Sequence, residues 1–192
     1  MTYFSGTQRR WTGCACAAVM AVTACADSVK DKKAALATET GPSIHSERVG
    51  ALRIGMRIEE LGSVGQVLRD TTMDTPDGAD SQRAITVVLV KDTVLAFVGS
   101  GTVGMVEVRS AGLRTPDDLG VGSRVDAVAD GHFGNADVLH GDVWLERRSL
   151  CGVYFLASAE GYRTGDALDS AAVRSMAERT VNRVLITRCL RG

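Results

Sequence analysis

The chain has 192 residues and a nearly balanced charge, with 22 Lys and Arg against 23 Asp and Glu and a net charge of −1. This balance excludes the basic surface that is typical of nucleic-acid-binding proteins. Only 5% of the residues are aromatic, so Val, Ile and Leu must fill the core. The region from about residue 48 onward is long enough for one domain with a substantial core.

The N-terminus has the three-part form of an export signal. Arg9 and Arg10 supply the positive charge, and residues 11–21 form an apolar stretch. That stretch is shorter than the roughly 20 apolar residues a membrane-spanning helix needs. The run 22–25, Val-Thr-Ala-Cys, has the lipobox order of an apolar residue, any residue, a small residue and Cys. We therefore expect residues 1–24 to be a lipoprotein signal peptide and Cys25 to be the lipidated first residue of the mature chain.

Lipidation of Cys25 predicts a membrane anchor, since each buried CH₂ contributes about 0.8 kcal/mol. The predicted location is the cell envelope, on the periplasmic face of the outer membrane if the host has two membranes. An ordinary secretory signal with a chance cysteine and the twin-arginine route stay open. Residues 25–48 are polar and rich in lysine, which predicts a flexible tether. The alternative is a frayed helix over residues 29–36.

The positions of the five cysteines indicate a different role for each group of them. Cys14 and Cys16 leave with the signal, and Cys25 carries lipid, so Cys151 and Cys189 remain. They border two strand-like runs, 152–157 and 183–187. If these strands pair antiparallel, the two Cα atoms come within the roughly 4.4–6.8 Å that a disulfide requires. A disulfide suits an oxidising compartment, and two buried free thiols are the alternative.

Two short segments resemble each other, residues 52–61 and 119–128. Leu, Gly and Arg coincide in both, with Gly55 matching Gly122. A helical pattern follows each glycine, and Ser123 with Asp126 has the spacing of a capping box. Strand-like runs then follow at similar distances. The sequence predicts an internal duplication, with a first unit at 49–112 and a second at 113–192.

Each predicted unit begins with a helix and continues as three or four antiparallel strands. In the first unit the strands are 84–90, 93–98 and 102–109. In the second they are 138–147, 152–157 and 181–186. Extra residues fall mostly in 159–175, and 168–178 has a helical pattern. The predicted fold class is α+β, as two tandem helix-plus-antiparallel-strand units with the helices packed on one face of an antiparallel sheet.

The words Leu-x-Ile-Gly-Met-x-x-x-Glu-Leu at 52–61 and Thr-Pro-x-x-Leu-x-Val-Gly-Ser at 115–123 resemble segments of small bacterial envelope lipoproteins. These have a fold like that of the outer-membrane assembly lipoprotein BamE and of the tandem-repeat β-lactamase inhibitor protein. The resemblance implies the same α+β repeat over about residues 48–190. It also implies that Gly55 and Gly122 are structural turn positions at the entry to a helix.

Two other patterns suggest chemistry. Residues 99–104 fit G-x-G-x-x-G after a strand, but β-branched alternation follows where a dinucleotide site needs a helix, so we expect a hairpin turn and no cofactor. Imidazole and carboxylate groups at 130–142 could hold a metal, although a solvated turn is the favoured interpretation. These residues are Asp130, His132, Asp137, His140 and Asp142.

The sequence contains no G-x-S-x-G word, phosphate loop or HExxH word, and no catalytic residues are predicted. We therefore expect a non-catalytic, lipid-anchored module that binds another envelope protein through a sheet face or edge. Its expected partners are the membrane and an envelope protein, not nucleic acid. Two alternatives stay open: a metal-binding protein or hydrolase that uses the 130–142 cluster, and an inhibitor of a secreted enzyme.

Overall fold

The computed structural model describes residues 43–76, 81–130 and 133–190, with the backbone alone at 133–135. The predicted signal peptide, Cys25, most of the predicted tether and His132 lie outside the described residues. The described residues belong to one compact unit.

The described residues form eleven strands, a short 3-10 helix and three α-helices of four to six residues. The strands are β1 (Ile44–His45), β2 (Arg48–Val49), β3 (Leu52–Arg53), β4 (Gln66–Asp74), β5 (Ser81–Leu89), β6 (Asp92–Gly99), β7 (Thr102–Val108), β8 (Phe133–Leu139), β9 (Asp142–Arg147), β10 (Val153–Ser158) and β11 (Val181–Thr187). The helices are the 3-10 turn Ile58–Glu60, α1 (Leu61–Val64), α2 (Val125–Ala129) and α3 (Ser170–Ser175).

Strands β4 to β11 make one eight-stranded antiparallel sheet in the order β4-β5-β6-β7-β11-β10-β9-β8. Strands β4–β7 are one four-stranded meander, and β8–β11 are a second. The two meanders join through their last strands, because β7 pairs with β11. Strands β1–β3 form a separate three-stranded antiparallel sheet.

The predicted fold class is wrong, because the structure is mostly antiparallel β-sheet with few short helices rather than a layer of helices packed on a sheet. The helical pattern after Gly55 produces only one turn of 3-10 helix and α1, and the chain then extends as β4. Glycines at 62 and 65 explain the early stop, since glycine is among the weakest helix formers. The predicted helix at 168–178 shortens to α3.

The core lies on one face of the large sheet. Alternate residues of β5–β11 point into it, and it is closed by β1–β3, the short helices and the loops between them. Fully buried contributors include Leu52, Leu61, Val125, Phe155 and Ile186. The sheet residues that alternate with these core residues point to the opposite face of the sheet, and that face carries the candidate sites described below.

Several strand predictions are close to the observed bounds. Strands β5, β6, β7, β10 and β11 lie within three residues of the predicted runs. The predicted single strand 138–147 is wrong, because His140 and Gly141 both have positive φ and form a hairpin between β8 and β9. The expected solvated turn at 130–142 is therefore largely strand β8.

The described end of the predicted tether is folded. Ile44 is fully buried in the core, and its N–H donates to Arg114 O at 2.8 Å. His45 pairs with Arg48 in the small sheet. The folded region therefore includes residues 43–48, which the sequence predicts to be part of the tether.

Among the described residues, no helix combines the length and apolar character needed to cross a membrane.

Candidate functional site

The two meanders begin with the same backbone contacts. Gly55 N–H donates to Val103 O at 2.7 Å, and Gly122 N–H donates to Val181 O at 2.7 Å. In turn, Val103 N–H donates to Met56 O and Val181 N–H donates to Ser123 O, each at 2.8 Å. Both glycines have positive φ, +83° and +87°. These paired contacts make Val181 the structural counterpart of Val103.

The two units also share an isolated antiparallel β-bridge. Arg57 pairs with Thr102 in the first unit, and Arg124 pairs with Thr180 in the second. The predicted capping box does not form, because α2 has no side-chain cap and its first flanking residue is Arg124. Ser123 Oγ instead accepts from Gly120 N–H at 3.0 Å and from Arg114 at 2.9 Å. The repeat is therefore carried by the glycine turn and not by a helix cap.

The two outer edges of the large sheet differ. The edge of β8 is covered by residues 165–168, which belong to the predicted insertion of the second unit. Val138 N–H donates to Asp166 O at 3.0 Å, Gly165 N–H donates to Val138 O at 2.8 Å, and Leu168 N–H donates to Ala136 O at 2.8 Å. Within the described part of the chain, nothing pairs with the outer edge of its counterpart β4.

Strand β4 also exposes apolar side chains. Val67, Leu68 and Met73 are 45%, 55% and 37% exposed. A bulge between Val67 and Arg69 interrupts the pairing with β5, and pairing is regular from Arg69 to Asp74. A long edge strand with free backbone groups is a template for another extended segment. We call this feature the β4 edge, residues 66–74.

A cavity of about 310 Å³ opens on the face of the sheet that points away from the core. Its aromatic walls are Trp144 and Tyr154, whose ring centroids lie 5.7 Å apart at 59°. Two carboxylates, Asp137 and Glu146, share the lining, and no basic side chain does. We call it the Trp144 pocket; its lining is completed by Met105, Leu139 and Thr187.

Strand register brings the lining of the Trp144 pocket together. Trp144 lies opposite Asp137 across β8–β9, and Tyr154 lies opposite Glu146 across β9–β10. Burial, then the negative charges of Glu146 and Asp137, raise the pKa of Tyr154 above its ordinary 10.0. The phenol is therefore neutral near pH 7.

A polar network lies beside the pocket on the same face. Glu107 is 1% exposed and accepts from Arg109 Nε at 2.5 Å. Arg183 lies 4.0 Å from Glu107 and pairs with Asp142 on β9. Each charged group of this network is paired with a group of opposite charge. The network therefore holds the strands together and leaves no charged group for a ligand.

A larger cavity, about 430 Å³, lies next to Glu107 and is lined by residues of β6 and β7 and the segments beside them. Its acidic groups already have partners, since Ser110 donates to Asp92 and Arg109 to Glu107. The carboxylate of Asp137 in the Trp144 pocket makes no hydrogen bond or ion pair with any described residue. The smaller cavity is therefore the better candidate for binding.

The residues singled out from the sequence do not converge on one site. Cys151 and Cys189 lie at disulfide distance, with Cα atoms 5.2 Å apart, next to the antiparallel pair β10–β11. His140 occupies the β8–β9 turn, and Asp142 pairs with Arg183. Among the described residues of the 130–142 cluster, only Asp137 lines the Trp144 pocket. Among the described residues, no group of three His, Cys, Asp or Glu side chains is placed to hold a metal.

Trp144, Glu146 and Tyr154 are not among the site residues that the sequence predicts. The missed signal was the His140-Gly141 turn. A hairpin there makes Asp142, Trp144 and Glu146 alternate residues of a separate strand, so they share one face. The residues 99–104 do form the expected hairpin turn, with Ser100 and Gly101 at positive φ between β6 and β7.

No protein-family model and no curated protein matches the sequence. In structure, the chain is similar to the uncharacterized protein YfeY from Escherichia coli, whose crystal structure it matches with a TM-score of 0.55 and 15% identity. The match covers 78% of this chain and 100% of that one. At this identity the likeness concerns the fold alone.

Proposed function

We propose that this protein is a lipid-anchored, non-catalytic module of the bacterial cell envelope that binds an extended segment of another envelope protein along the β4 edge. The anchor part of the proposal comes from the lipobox that ends in Cys25. The binding part is supported by one structural observation, the difference between the two edges of the large sheet.

The comparison between β8 and β4 carries the argument. Both are the first strands of four-stranded meanders that begin with the same glycine contacts. The second unit covers its edge with residues 165–168, and the first unit has no counterpart of that segment. Proteins usually cover, shorten or charge a free edge. Among the residues that the structure describes, none covers this nine-residue edge, and its exposed Val67, Leu68 and Met73 suit the addition of a partner strand.

A partner strand would gain main-chain hydrogen bonds along β4 and side-chain contacts with the exposed apolar residues. Val67 lies opposite Val87 and shares the core side of the sheet, whereas Met73 lies opposite Gln82 and points to the other side. Because these two residues lie on opposite faces of the sheet, an incoming segment contacts both only if it carries apolar residues on both of its own faces. The anchor would add a high local concentration of partners at the membrane.

The binding proposal is tested by a photo-crosslinking residue at Leu68 or Met73 in native envelopes, with the same residue at Val90 as the control. Val90 is 82% exposed and lies in the β5–β6 hairpin. The proposal expects one adduct of defined mass from β4 and none from Val90. An adduct of twice the chain mass would identify a second copy as the occupant and contradict the hetero-partner.

A second experiment tests whether the captured partner adds a strand to the sheet at β4. Hydrogen exchange on the purified complex should slow at the amides of residues 69–74 and stay unchanged in β8. Slowing elsewhere, with β4 unchanged, would show that the partner binds another surface and would reject the proposal.

The anchor is tested separately. Metabolic labelling with palmitate should mark the full chain, and Cys25→Ser should abolish the label and release the protein from the membrane fraction. An unlabelled parent chain, with both proteins fractionating alike, would contradict the anchor and leave the edge experiment unaffected.

A further inference from the structure

We propose that the Trp144 pocket binds an organic cation, a substituted ammonium group that lies against the two aromatic rings and beside the two carboxylates. This site is independent of the β4 edge, since it lies on β7–β11 and its lining includes no residue of β4.

The chemistry of the lining favours a cation. An ammonium group is attracted to the face of Trp or Tyr within about 6 Å. Trp144 and Tyr154 form a tilted aromatic pair with ring centroids 5.7 Å apart, so a cation lies against this pair and not between its rings. Asp137 and Glu146 add negative charge, and Asp137 makes no ion pair with any described residue. The apolar side chains of Met105 and Leu139 suit the alkyl substituents of the ligand.

The size of the cavity limits the ligand. About 310 Å³ is near the lower end of the roughly 300–1,000 Å³ of small-molecule sites. A quaternary ammonium head group or one lysine side chain fits this scale. A larger ligand would have to leave most of its surface outside the pocket.

The fold does not require these residues. The pairing of β10 with β11 matches that of β6 with β7, so Tyr154, opposite Leu185, is the counterpart of Leu95, opposite Glu107. The same registers continue to the neighbouring strands. The counterparts of Trp144, Glu146 and Asp137 in the first unit are Ala84, Thr86 and Thr71.

The strands of the first unit therefore pair in the same register, but the four matched positions hold uncharged residues, and none of these is aromatic. At these four matched positions, aromatic rings and carboxylates appear together in the second unit and not in the first.

Choline titrated into the full chain with Trp11→Phe, in a non-ionic detergent, provides the test. The sequence has two tryptophans, so Trp144 alone then reports by fluorescence. The proposal expects saturable quenching by choline. It expects much weaker binding of the neutral choline analogue that has carbon in place of the ammonium nitrogen. Equal binding of the two, or no saturable change with choline, would overturn the proposal.

Variants then locate the site. Tyr154→Leu copies the residue found at position 95 and should weaken choline binding by roughly 3- to 30-fold, the range of a cation–π contact. Asp137→Asn and Glu146→Gln should each weaken it as well, and Glu146→Gln keeps the oxygen that accepts from Gly152 N–H. Glu60→Gln, which removes the same charge from an exposed helical turn, is the control.

The outcome for Asp137→Asn is decisive even if another variant folds poorly, because Asp137 is an exposed residue of β8. Unchanged choline binding in Asp137→Asn and Glu146→Gln, or an equal loss in Glu60→Gln, would reject the site. A lysine amide titrated in parallel distinguishes the source of the cation. Tighter binding of lysine amide identifies a protein side chain, and tighter binding of choline identifies a free or lipid-borne head group.

Discussion

Glu107 and Leu185 face each other across the central strand pair β7–β11, and each stands four residues after the valine that accepts from a turn glycine. They are therefore counterparts in the two meanders, and the pseudo-twofold axis of the sheet passes between them. A buried carboxylate lies on one side of this axis and a buried leucine on the other, both at most 1% exposed. The repeat keeps its backbone contacts and changes its chemistry.

This relationship gives the first prediction. Glu107→Ala should lower the free energy of unfolding by about 3 kcal/mol, since it leaves a cavity and removes the carboxylate that partners Arg109. Glu107→Leu should cost less, because leucine is the residue at the matching position and Arg183 keeps Asp142. Urea unfolding measures both variants. A larger loss for Glu107→Leu than for Glu107→Ala would contradict the equivalence of the two positions.

The turn glycines give a second prediction. At Gly55 and Gly122 an added Cβ meets nothing within 4 Å, so alanine costs only the backbone strain of positive φ, about 1–2 kcal/mol. At Gly152, which also has positive φ, the Cβ would lie 2.6 Å from Thr187 O. Gly152→Ala should therefore destabilise more than Gly55→Ala or Gly122→Ala in urea unfolding. Equal losses at all three positions would show that the contact with Thr187 has no cost.

The disulfide gives a third prediction. Cys151 and Cys189 are 38 residues apart, and closing such a loop stabilises by about 4 kcal/mol in the chain-entropy model. The double variant Cys151→Ser, Cys189→Ser should unfold at a lower urea concentration than the parent. Reductant should shift the parent to the midpoint of the variant and leave the variant unchanged. A parent insensitive to reductant under unfolding conditions would contradict the disulfide.

The sequence predicted the strands better than the helices, and the reason is local. Strands β5, β6, β7 and β11 contain Val and Ile that alternate with other residues, and β-branched side chains favour extended backbone. Strand β4 was missed because its residues are mostly exposed, so the alternation that marks a half-buried strand is absent. The helical pattern after Gly55 was real but stops after α1 at Gly65.

The Trp144 pocket could not be predicted from spacing alone. Its residues come from four strands and meet only through the register of β7–β11–β10–β9–β8. The 130–142 cluster was proposed because its residues are close in sequence. The chain instead separates them, since Asp137 and Asp142 lie on either side of a hairpin and only the former reaches the pocket.

The titration of Tyr154 gives a fourth prediction. Burial is the first cause of its raised pKa, and the charges of Glu146 and Asp137 come second. Glu146→Gln should therefore lower the pKa of Tyr154 towards 10.0 without restoring it fully. Absorbance of the phenolate, with Tyr154→Phe subtracted, measures the shift. An unchanged pKa would place Glu146 too far away to act on a ligand in the pocket.

The raised pKa of Tyr154 also makes the free energy of unfolding depend on pH. Because the folded pKa of Tyr154 is raised above 10.0, its contribution to stability is present below pH 10 and is lost as the pH rises through the folded value. Between pH 6 and 9 the stability of the parent and of Tyr154→Phe should therefore run parallel. They should diverge only in alkali, where the parent loses more.

The difference between the two sheet edges is the central claim, and hydrogen exchange on the dilute, purified chain tests it most directly. The account predicts that the Val138 amide of β8, which donates to Asp166 O, exchanges slowly, while every second amide of β4 between Arg69 and Asp74 exchanges as fast as in an open strand. Uniform, concentration-independent protection along β4 would mean that the edge is already covered and would contradict the account.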